Sequence, residues 1–285
     1  MKPRLATSLL ILPGAAWLTV FLAVPCALVL VYAFVTRGVY GGIVWTFSLE
    51  SLVRVFDDVY VAIFLTSARI ALLAATVSLL VGYPAAYAVS RLPERWQLPV
   101  LFLVILPFWS NYLIRTYAWI VLLNRTGLVN EGLQSLGVIE TPLDILYSEG
   151  AIVTGLVYNY LPFVILSVFS SIQRLNREVL EASEDLGAPP WRTFLRVTLP
   201  LTMPGIVAGG VFVFVLSIGN FITPNLLGGG HVKMVGSVIY DQFTAARDWP
   251  FGAALSLSLI AVMMVLLLVQ TRLAQRVRNI DTAEA

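Results

Sequence analysis

Six long runs of apolar residues recur along the chain, and each is long enough to cross a lipid bilayer. They cover roughly residues 9–35, 62–90, 98–123, 150–172, 201–223 and 251–271. A transmembrane helix needs about 20 mainly apolar residues. Membrane β-strands would instead alternate apolar and polar positions with a period of two, and these runs do not. The pattern therefore predicts an all-α membrane protein with six transmembrane helices.

The polar segments between these runs are short, so we expect a single transmembrane domain over residues 1–285. The composition supports this: 59% of the residues are hydrophobic and 12% are charged, whereas soluble domains carry about 25% charged residues. The first run is longer than the apolar core of a secretory signal peptide, about 7–15 residues, so we expect it to be retained as a span. The net charge of +2 is too small to indicate a nucleic acid partner.

Arginine and lysine are concentrated in alternate connecting segments. With the N-terminus inside, the cytoplasmic segments hold eleven basic residues and the outer segments hold five. The cytoplasmic set is Lys2, Arg4, Arg91, Arg95, Arg174, Arg177, Arg192, Arg196, Arg272, Arg276 and Arg278, and the outer set is Arg37, Arg54, Arg125, Lys233 and Arg247. Cytoplasmic loops of membrane proteins carry an excess of these residues. We therefore predict a multi-pass protein with both termini in the cytoplasm.

Nine acidic residues lie in the predicted outer segments, among them Asp241 and Asp248. They outnumber the basic residues there, and a negative surface would raise the local concentration of a cationic solute. Solvation of the loops, or docking of a partner protein, explains the same charges without a solute. Both interpretations stay open.

The longest cytoplasmic segment, residues 177–200, joins the fourth and fifth runs. Asn176 is a suitable N-cap for a short helix, and Gly187 is a suitable stop because glycine tolerates the left-handed conformation. Pro189 and Pro190 prevent the first helix from continuing and suit the start of a second. We therefore predict two short helices joined by a glycine turn at the membrane surface, a pattern that an interfacial loop of any transporter would also allow.

The same loop carries a spaced motif. Glu181-Ala182-Ser183 is followed after three residues by Gly187, and after nine more by Val197-Thr198-Leu199-Pro200. This spacing resembles the EAA loop of binding-protein-dependent ABC importer permeases, with Ser183 and Val197 as mild departures. The resemblance implies the type I ABC importer transmembrane fold, in which the first short helix inserts into a groove on an ATPase. The coupling residues that it implies are Glu181, Ala182, Ser183, Gly187, Leu199 and Pro200.

The chain contains no Gly-x-x-x-x-Gly-Lys-Ser/Thr motif for binding phosphate. We therefore expect that it is not an enzyme, that it has no cofactor of its own, and that a separate ATPase dimer binds ATP and Mg²⁺. The resemblance adds a second homologous permease subunit, a periplasmic substrate-binding protein and the lipid of the bacterial cytoplasmic (inner) membrane as partners. A transporter driven by an ion gradient is the competing hypothesis. It would favour intramembrane carboxylates, and the six runs contain no Asp or Glu.

The third run is the richest in polar and aromatic side chains. They include Trp109, Asn111, Tyr112, Arg115, Thr116 and Trp119, and Pro107 predicts a kink just before them. Polar residues inside a membrane usually face a cavity or the bundle interior, and aromatic rings can hold a cation. We therefore place this aromatic face in a solute pathway. Arg115 would repel a cation, so we expect it to have a structural or gating role.

Three stretches, within residues 107–119, 220–229 and 247–254, resemble permeases of the spermidine/putrescine type, most closely the first permease of the pair. The resemblance implies a polyamine as the solute. The candidate pathway also includes Tyr158, Asn159, Asn220, Asp241 and Asp248. Such relatives often carry an acid where this chain has Asn220, and that departure keeps open another small nitrogenous or zwitterionic solute. His231, the only histidine, has no ligand-like neighbours in the sequence, and we expect a loop residue there rather than a metal ligand.

Overall fold

The computed structural model describes the backbone of residues 3–39 and 41–283, and the side chains of residues 11–39, 41–176, 178–268 and 270–272. Lys2, one of the basic residues in the orientation prediction, lies outside the described residues. The side chains of Arg4, Arg177, Arg276 and Arg278 do so as well. The chain forms two units: residues up to 62 with 238–264, and residues 63–237 with those from 265 onward.

The first apolar run forms one long helical stretch. α1 (Pro3–Leu18), a π-helical segment (Thr19–Ala23) and α2 (Val24–Tyr32) follow one another directly. The most apolar stretch of 18 residues between Ile11 and Tyr32 has a mean hydropathy of 2.3, and none of its residues is buried. Exposed apolar side chains along the whole length are what a helix surrounded by lipid presents.

A β-hairpin follows, which the all-α prediction did not include. β1 (Val35–Arg37) pairs antiparallel with β2 (Ile43–Phe47), with Arg37 opposite Ile43. Valine, isoleucine and threonine in both strands favour extended backbone. Gly41 and Gly42 adopt positive φ angles of 87° and 83° in the connection, which glycine tolerates best. The first helix therefore ends three residues before the predicted limit at residue 35.

The third predicted span is bent rather than straight. After α3 (Glu50–Arg54) and α4 (Asp58–Ser90), that run contains α5 (Glu94–Ile105), a 3₁₀ turn (Leu106–Trp109) and α6 (Tyr112–Leu123). The helical segments before and after the break at residues 110–111 meet at 88°. Ser110 and Asn111 are extended, with ψ angles of 157° and 130°, so the α-helix cannot continue across them. The predicted kink near Pro107 is thus a complete break.

The fifth predicted span is also bent. α7 (Leu128–Ser135) and α8 (Glu149–Gln173) precede the loop at residues 177–200, which contains α9 (Arg177–Asp185), α10 (Pro190–Thr193), a π-helical segment (Phe194–Thr198) and α11 (Leu199–Leu201). α12 (Met203–Ile218) then leaves the loop at an angle of 62°. The backbone of Thr202 (φ −92°, ψ 0°) departs from helical values at this bend.

The remaining elements are α13 (Ile222–Leu227), α14 (Val235–Thr244) and α15 (Trp249–Ala283). Across residues 3–39 and 41–283, four helices are individually long and apolar enough to span a membrane, and the two bent pairs raise the number to six if each is one span. The helical, membrane-spanning architecture is confirmed. The range of four to six includes the predicted count.

Close contact between α8 and α12 forms much of the core of the larger unit. A Cβ atom added at Gly205 would lie 2.4 Å from the Cβ atom of Ser171, and one added at Gly209 would lie 3.3 Å from the Cβ atom of Ser167. The Ser167 hydroxyl donates a hydrogen bond to the Gly205 carbonyl at 2.9 Å. Small residues and interhelical hydrogen bonds are what membrane helices use for tight packing. The loop at residues 177–200 therefore connects two helices, α8 and α12, that are packed against each other.

Candidate functional site

The first short helix of the loop at residues 177–200 begins where the sequence predicts. The side-chain oxygen of Asn176 accepts a hydrogen bond from the backbone N–H of Glu178 at 3.0 Å. The Asn176 amide in turn donates to the Glu178 carboxylate at 3.0 Å. These bonds satisfy one of the free N–H groups of the first turn and place a negative charge at the positive end of the helix. The predicted N-cap is confirmed.

Gly187 turns the chain at the end of α9. Its φ angle is 75°, in the left-handed region that favours glycine. Its N–H donates to the Glu184 carbonyl at 2.8 Å, and the N–H of Ala188 donates to the Ser183 carbonyl at 3.1 Å. This pair of bonds is a Schellman motif. A Cβ atom added at Gly187 would have no other atom within 4 Å, so the backbone conformation, rather than lack of space, requires glycine.

One side-chain contact joins the two short helices of the loop, and the Phe194 ring attaches the loop to α4 of the same unit. The hydroxyl groups of Ser183 on α9 and Thr193 on α10 are 2.9 Å apart, within hydrogen-bonding distance. The Phe194 ring packs edge-on against the rings of Tyr83 and Tyr87 on α4, with centroid distances of 5.7 and 5.4 Å. A displacement of α9 would therefore be passed to α10 and, through Phe194, to α4.

A cavity of about 510 Å³ lies between α9 and the junction of α4 with α5. Glu181 and Glu184 line it from α9, and Arg91 and Glu94 line it from the junction. Arg91 donates a hydrogen bond to the Tyr87 hydroxyl at 2.6 Å and lies 5.0 Å from the centroid of that ring. The glutamate of the predicted motif therefore borders an open cavity that is lined partly by charged residues.

Several apolar side chains of the loop have no cover within the described residues. Leu186 is 88% exposed and Trp191 is 61% exposed. Exposed apolar groups of this size at a membrane surface suit contact with a partner protein or with lipid. Of the other predicted coupling residues, Ala182 and Pro200 are exposed, while Leu199 is half-buried against the core.

Asn220, between α12 and α13, joins three parts of the larger unit. Its side-chain nitrogen donates to the hydroxyl groups of Tyr112 on α6 at 2.6 Å and of Tyr160 on α8 at 2.7 Å. Its side-chain oxygen accepts from the backbone N–H of Thr223 at 2.9 Å, which fixes the orientation of the amide. The Tyr112 hydroxyl also lies 2.6 Å from the Thr223 hydroxyl. Both N–H groups and the oxygen of the Asn220 amide already have partners in the chain. The main effect of Asn220 is therefore to position the two tyrosine hydroxyl groups.

Arg115 lies one turn into α6 and is 8% exposed. Its guanidinium carbon is 5.3 Å from the centroid of the Phe108 ring and 5.7 Å from that of Tyr112. The aromatic environment predicted for this helix is therefore present, but the arginine occupies part of it.

The other predicted residues of α6 and its start have local contacts. The Asn111 side chain caps α6 by accepting from the backbone N–H of Leu113 at 2.8 Å. Thr116 is buried and donates to the Tyr112 carbonyl at 2.9 Å. Trp109 is 75% exposed at the break before α6. Of this group, Trp109 is therefore the residue with the most free surface for a solute or a neighbour.

Two predicted pathway residues on α8 differ in their surroundings. Tyr158 packs edge-on against Trp119 of α6, with the ring centroids 5.5 Å apart. Asn159 is fully buried; its nitrogen donates to the Gly155 carbonyl at 2.8 Å, and its oxygen has no partner among the described residues. Only Tyr158 of the two has an exposed surface.

Asp248 lies in a predicted outer segment, but its side chain is buried. Its carboxylate lies 3.1 Å from Arg54 and 3.7 Å from Arg37. It also accepts from the backbone N–H of Phe251 at 3.2 Å, in the first turn of α15. All these residues belong to the smaller unit, where the carboxylate is already neutralised. Asp241, on α14, is half-buried.

Tyr160 and Tyr83 are absent from the predicted site residues, although both make polar contacts in the larger unit. Tyr83 lies 3.0 Å from the Thr202 hydroxyl, beside the bend that precedes α12. A tyrosine inside an apolar run is a usable signal, since a buried phenol hydroxyl generally needs a partner. The sequence does not indicate which partner it will find.

Comparison with known proteins extends this description. A family model described as binding-protein-dependent transport system inner membrane component matches residues 15–279. The chain is 42% identical to the spermidine/putrescine transport system permease protein PotB of Salmonella typhimurium strain SL1344, covering 92% of this chain and 91% of that protein. It is 41% identical to PotB of Escherichia coli K12, covering 92% and 95%.

A solved structure supports the fold independently of close sequence similarity. The chain resembles a chain in the crystal structure of a bacterial alginate ABC transporter in complex with an alginate pentasaccharide-bound periplasmic protein. The TM-score is 0.76 at 18% identity, and the match covers 97% of this chain and 96% of that one. At this level of identity the likeness bears on the fold alone.

Proposed function

Because this chain belongs to the family of binding-protein-dependent transport system inner membrane components, we propose that it is a permease subunit of an ATP-driven importer for a polyamine such as spermidine or putrescine. One observation carries the choice of solute: the two PotB relatives are 41–42% identical to this chain over 92% of its length. The aromatic side chains around Tyr112 and Trp119 are compatible with a cationic solute, since aromatic rings attract cations.

A separate ATPase dimer binds ATP with Mg²⁺ and drives transport from the cytoplasmic side. Both chain termini then lie in the cytoplasm, as the distribution of arginine and lysine favours. The exposed Leu186 and Trp191 of the loop are available to a groove on the ATPase. When the ATPase closes, α9 moves with it, and the Ser183–Thr193 contact and the Phe194 ring pass the movement to α10 and α4.

The whole chain acts as one permease domain beside a second, homologous permease, and a periplasmic binding protein delivers the solute to the path between them. In this chain, Trp109, Tyr158 and Trp119 offer ring faces to the solute. Asn220 positions the hydroxyl groups of Tyr112 and Tyr160 nearby. Movement of the helices that carry these residues opens the path alternately to either side.

A different small nitrogenous or zwitterionic solute is the second candidate. The observation that favours it is Arg115, a buried cation beside the aromatic residues of the predicted path. A solute with a carboxylate would gain from this charge, whereas a polyamine would be repelled by it.

Reconstitution of the complete transporter in liposomes tests these assignments. We expect labelled spermidine to accumulate only with ATP, an intact ATPase and the binding protein. Uptake that continues with an inactive ATPase but stops when the ion gradient is dissipated would contradict ATP-driven transport. Uptake of a zwitterionic amine with no competition from spermidine or putrescine would favour the second candidate.

The coupling role of the loop has its own test. Gly187→Pro removes a hydrogen-bond donor and fixes a negative φ where the turn needs a positive one. We expect this variant to insert into the membrane but to lose co-purification with the ATPase. Glu181→Lys tests the motif glutamate in the same assay. Retained co-purification together with normal uptake in both variants would show that the loop is not the coupling element.

A further inference from the structure

Arg115 is a buried charge with no ion-pair partner among the described residues. Only 8% of the residue is exposed, and its Nε atom is buried with no hydrogen-bond partner among the described residues. None of the ion pairs in the described part of the chain includes it. Its side-chain contacts with charge character are with the rings of Phe108 and Tyr112. Ring contacts offset only part of the cost of burying a guanidinium within a membrane.

Arg69 provides an internal comparison. It also lies within a predicted span, although it is more exposed than Arg115, and its guanidinium forms an ion pair with the carboxylate of Glu149. Charged residues inside membranes normally face a partner or a cavity. The chain therefore supplies an acid for one intramembrane arginine, and the structure shows none for the other.

The side of α6 next to Arg115 is open to a neighbour, although Arg115 itself is only 8% exposed. Asn111 and Ala118, one turn before and one turn after on the same side of the helix, are both exposed. Ala118 is small, and small residues allow the backbones of membrane helices to approach closely. Lipid tails cannot neutralise a guanidinium, and neither can a cationic solute. A carboxylate carried by another membrane helix can do so.

We propose that the second permease subunit contributes an intramembrane acidic side chain that packs against this face of α6 and pairs with Arg115. The proposal rests on the proposed function only in assuming that two permeases form the path. It identifies an interface on this chain, made of Asn111, Arg115 and Ala118, and it identifies the chemistry of the partner.

A double-mutant cycle in the complete transporter tests the pair. Arg115→Met removes the charge and keeps an apolar stem, and each intramembrane Asp or Glu of the second permease is changed to Asn or Gln in turn. The readouts are co-purification of the two permeases and ATP-dependent uptake of labelled spermidine. We expect Arg115→Met to lower at least one readout about tenfold, since it leaves a buried carboxylate unpaired. One acid substitution should do the same, and its combination with Arg115→Met should be no worse than either change alone.

Arg69→Met is the matched control. Its effect should be non-additive with Glu149→Gln in the same chain and additive with every substitution in the second permease. A second approach does not depend on whether Arg115→Met folds. In a Cys26→Ser background, which removes the only native cysteine, Ala118→Cys should crosslink to cysteines placed beside the acid in the second permease. Tyr117→Cys, exposed but two positions from Arg115 and so on the opposite side of α6, should not.

Two results would overturn the proposal. The first is additivity of Arg115→Met with every acid substitution in the second permease. The second is equal crosslinking from Ala118→Cys and Tyr117→Cys. Co-purification and crosslinking do not depend on the solute, so a failure to transport spermidine would count against the proposed solute and leave these results on the interface to stand by themselves.

Discussion

Replacing Gly187 by alanine measures how much the left-handed turn in the loop at residues 177–200 depends on glycine. The φ angle of 75° costs an L-residue about 1–2 kcal/mol. Replacing glycine also reduces the conformational freedom of the unfolded chain, which stabilises the folded state by about 0.4–1 kcal/mol. Since a Cβ atom here has no neighbour within 4 Å, no steric cost is added. The net cost is about 1 kcal/mol, or about a fivefold shift away from the turned conformation.

Gly137 allows a matched control because it ends α7 with the same geometry. Its φ angle is 69°, a Cβ atom there also has no neighbour within 4 Å, and its N–H donates to the Gln134 carbonyl at 3.0 Å. Gly137→Ala should therefore lower stability by a similar amount. It should leave coupling intact, because α7 lies outside the loop. Comparing the two variants separates loss of stability from loss of coupling.

The assay is uptake of labelled spermidine per ATP hydrolysed in liposomes, with thermal unfolding measured in parallel. We expect Gly187→Ala to reduce this ratio several-fold and Gly137→Ala to leave it unchanged, with similar shifts in unfolding temperature. Gly187→Asn should be milder than Gly187→Val, since asparagine tolerates the left-handed region. If both alanine variants impair coupling equally, or if asparagine is as harmful as valine, the turn's backbone conformation is not what transmits the movement.

Two further predictions concern buried polar groups. Asn220→Leu removes both hydrogen bonds to Tyr112 and Tyr160, and it should reduce maximal uptake about tenfold or more because the two hydroxyls lose the donor that positions them and keep only their contacts with Thr223 and the Leu216 carbonyl; an unchanged maximal rate would show that the network is not part of the moving path. Asp248→Asn removes the charge that pairs with two arginines and should lower the free energy of unfolding by about 1–3 kcal/mol. The control Asp144→Asn breaks the exposed ion pair of Asp144 with Arg125, 3.7 Å apart, and should cost less than about 1 kcal/mol, so equal thermal shifts would contradict the structural role of Asp248.

Features encoded by neighbouring residues could be predicted from the sequence. The apolar runs locate the membrane helices because each needs only about 20 consecutive residues. The two ends of α9 follow from Asn176 and Gly187, which act on backbone groups within a few positions. The break before α6 was harder to place, because Ser110 and Asn111 lie inside an otherwise apolar run. The hairpin after α2 has the β-branched residues of a strand, but it lies in a short interval beside a much stronger helical pattern.

Features that depend on distant residues could not be predicted. Asn220 meets Tyr112 and Tyr160, which lie 108 and 60 positions away along the chain. Asp248 looks like an acid available at the outer surface until Arg54, 194 positions earlier, is seen against it. Nothing local to either residue indicates its partner. The sequence therefore identified Asn220 as unusual, but only the structure shows that its amide is occupied.

The position of Glu181 indicates that the loop at residues 177–200 uses different residues to bind the ATPase and to respond to its movement. This glutamate borders the cavity between α9 and the start of α5, whereas Leu186 and Trp191 present uncovered apolar surface. Binding to a partner surface gains most from burying apolar groups of this kind. A carboxylate that lines the same cavity as Arg91, with no ion pair to it in the described part of the chain, becomes a strong contact only if the cavity narrows, because charge pairs strengthen with proximity and loss of water. Glu181 is therefore better placed to respond to the movement of α9 than to hold the ATPase, and its replacement should affect transport per ATP more than co-purification.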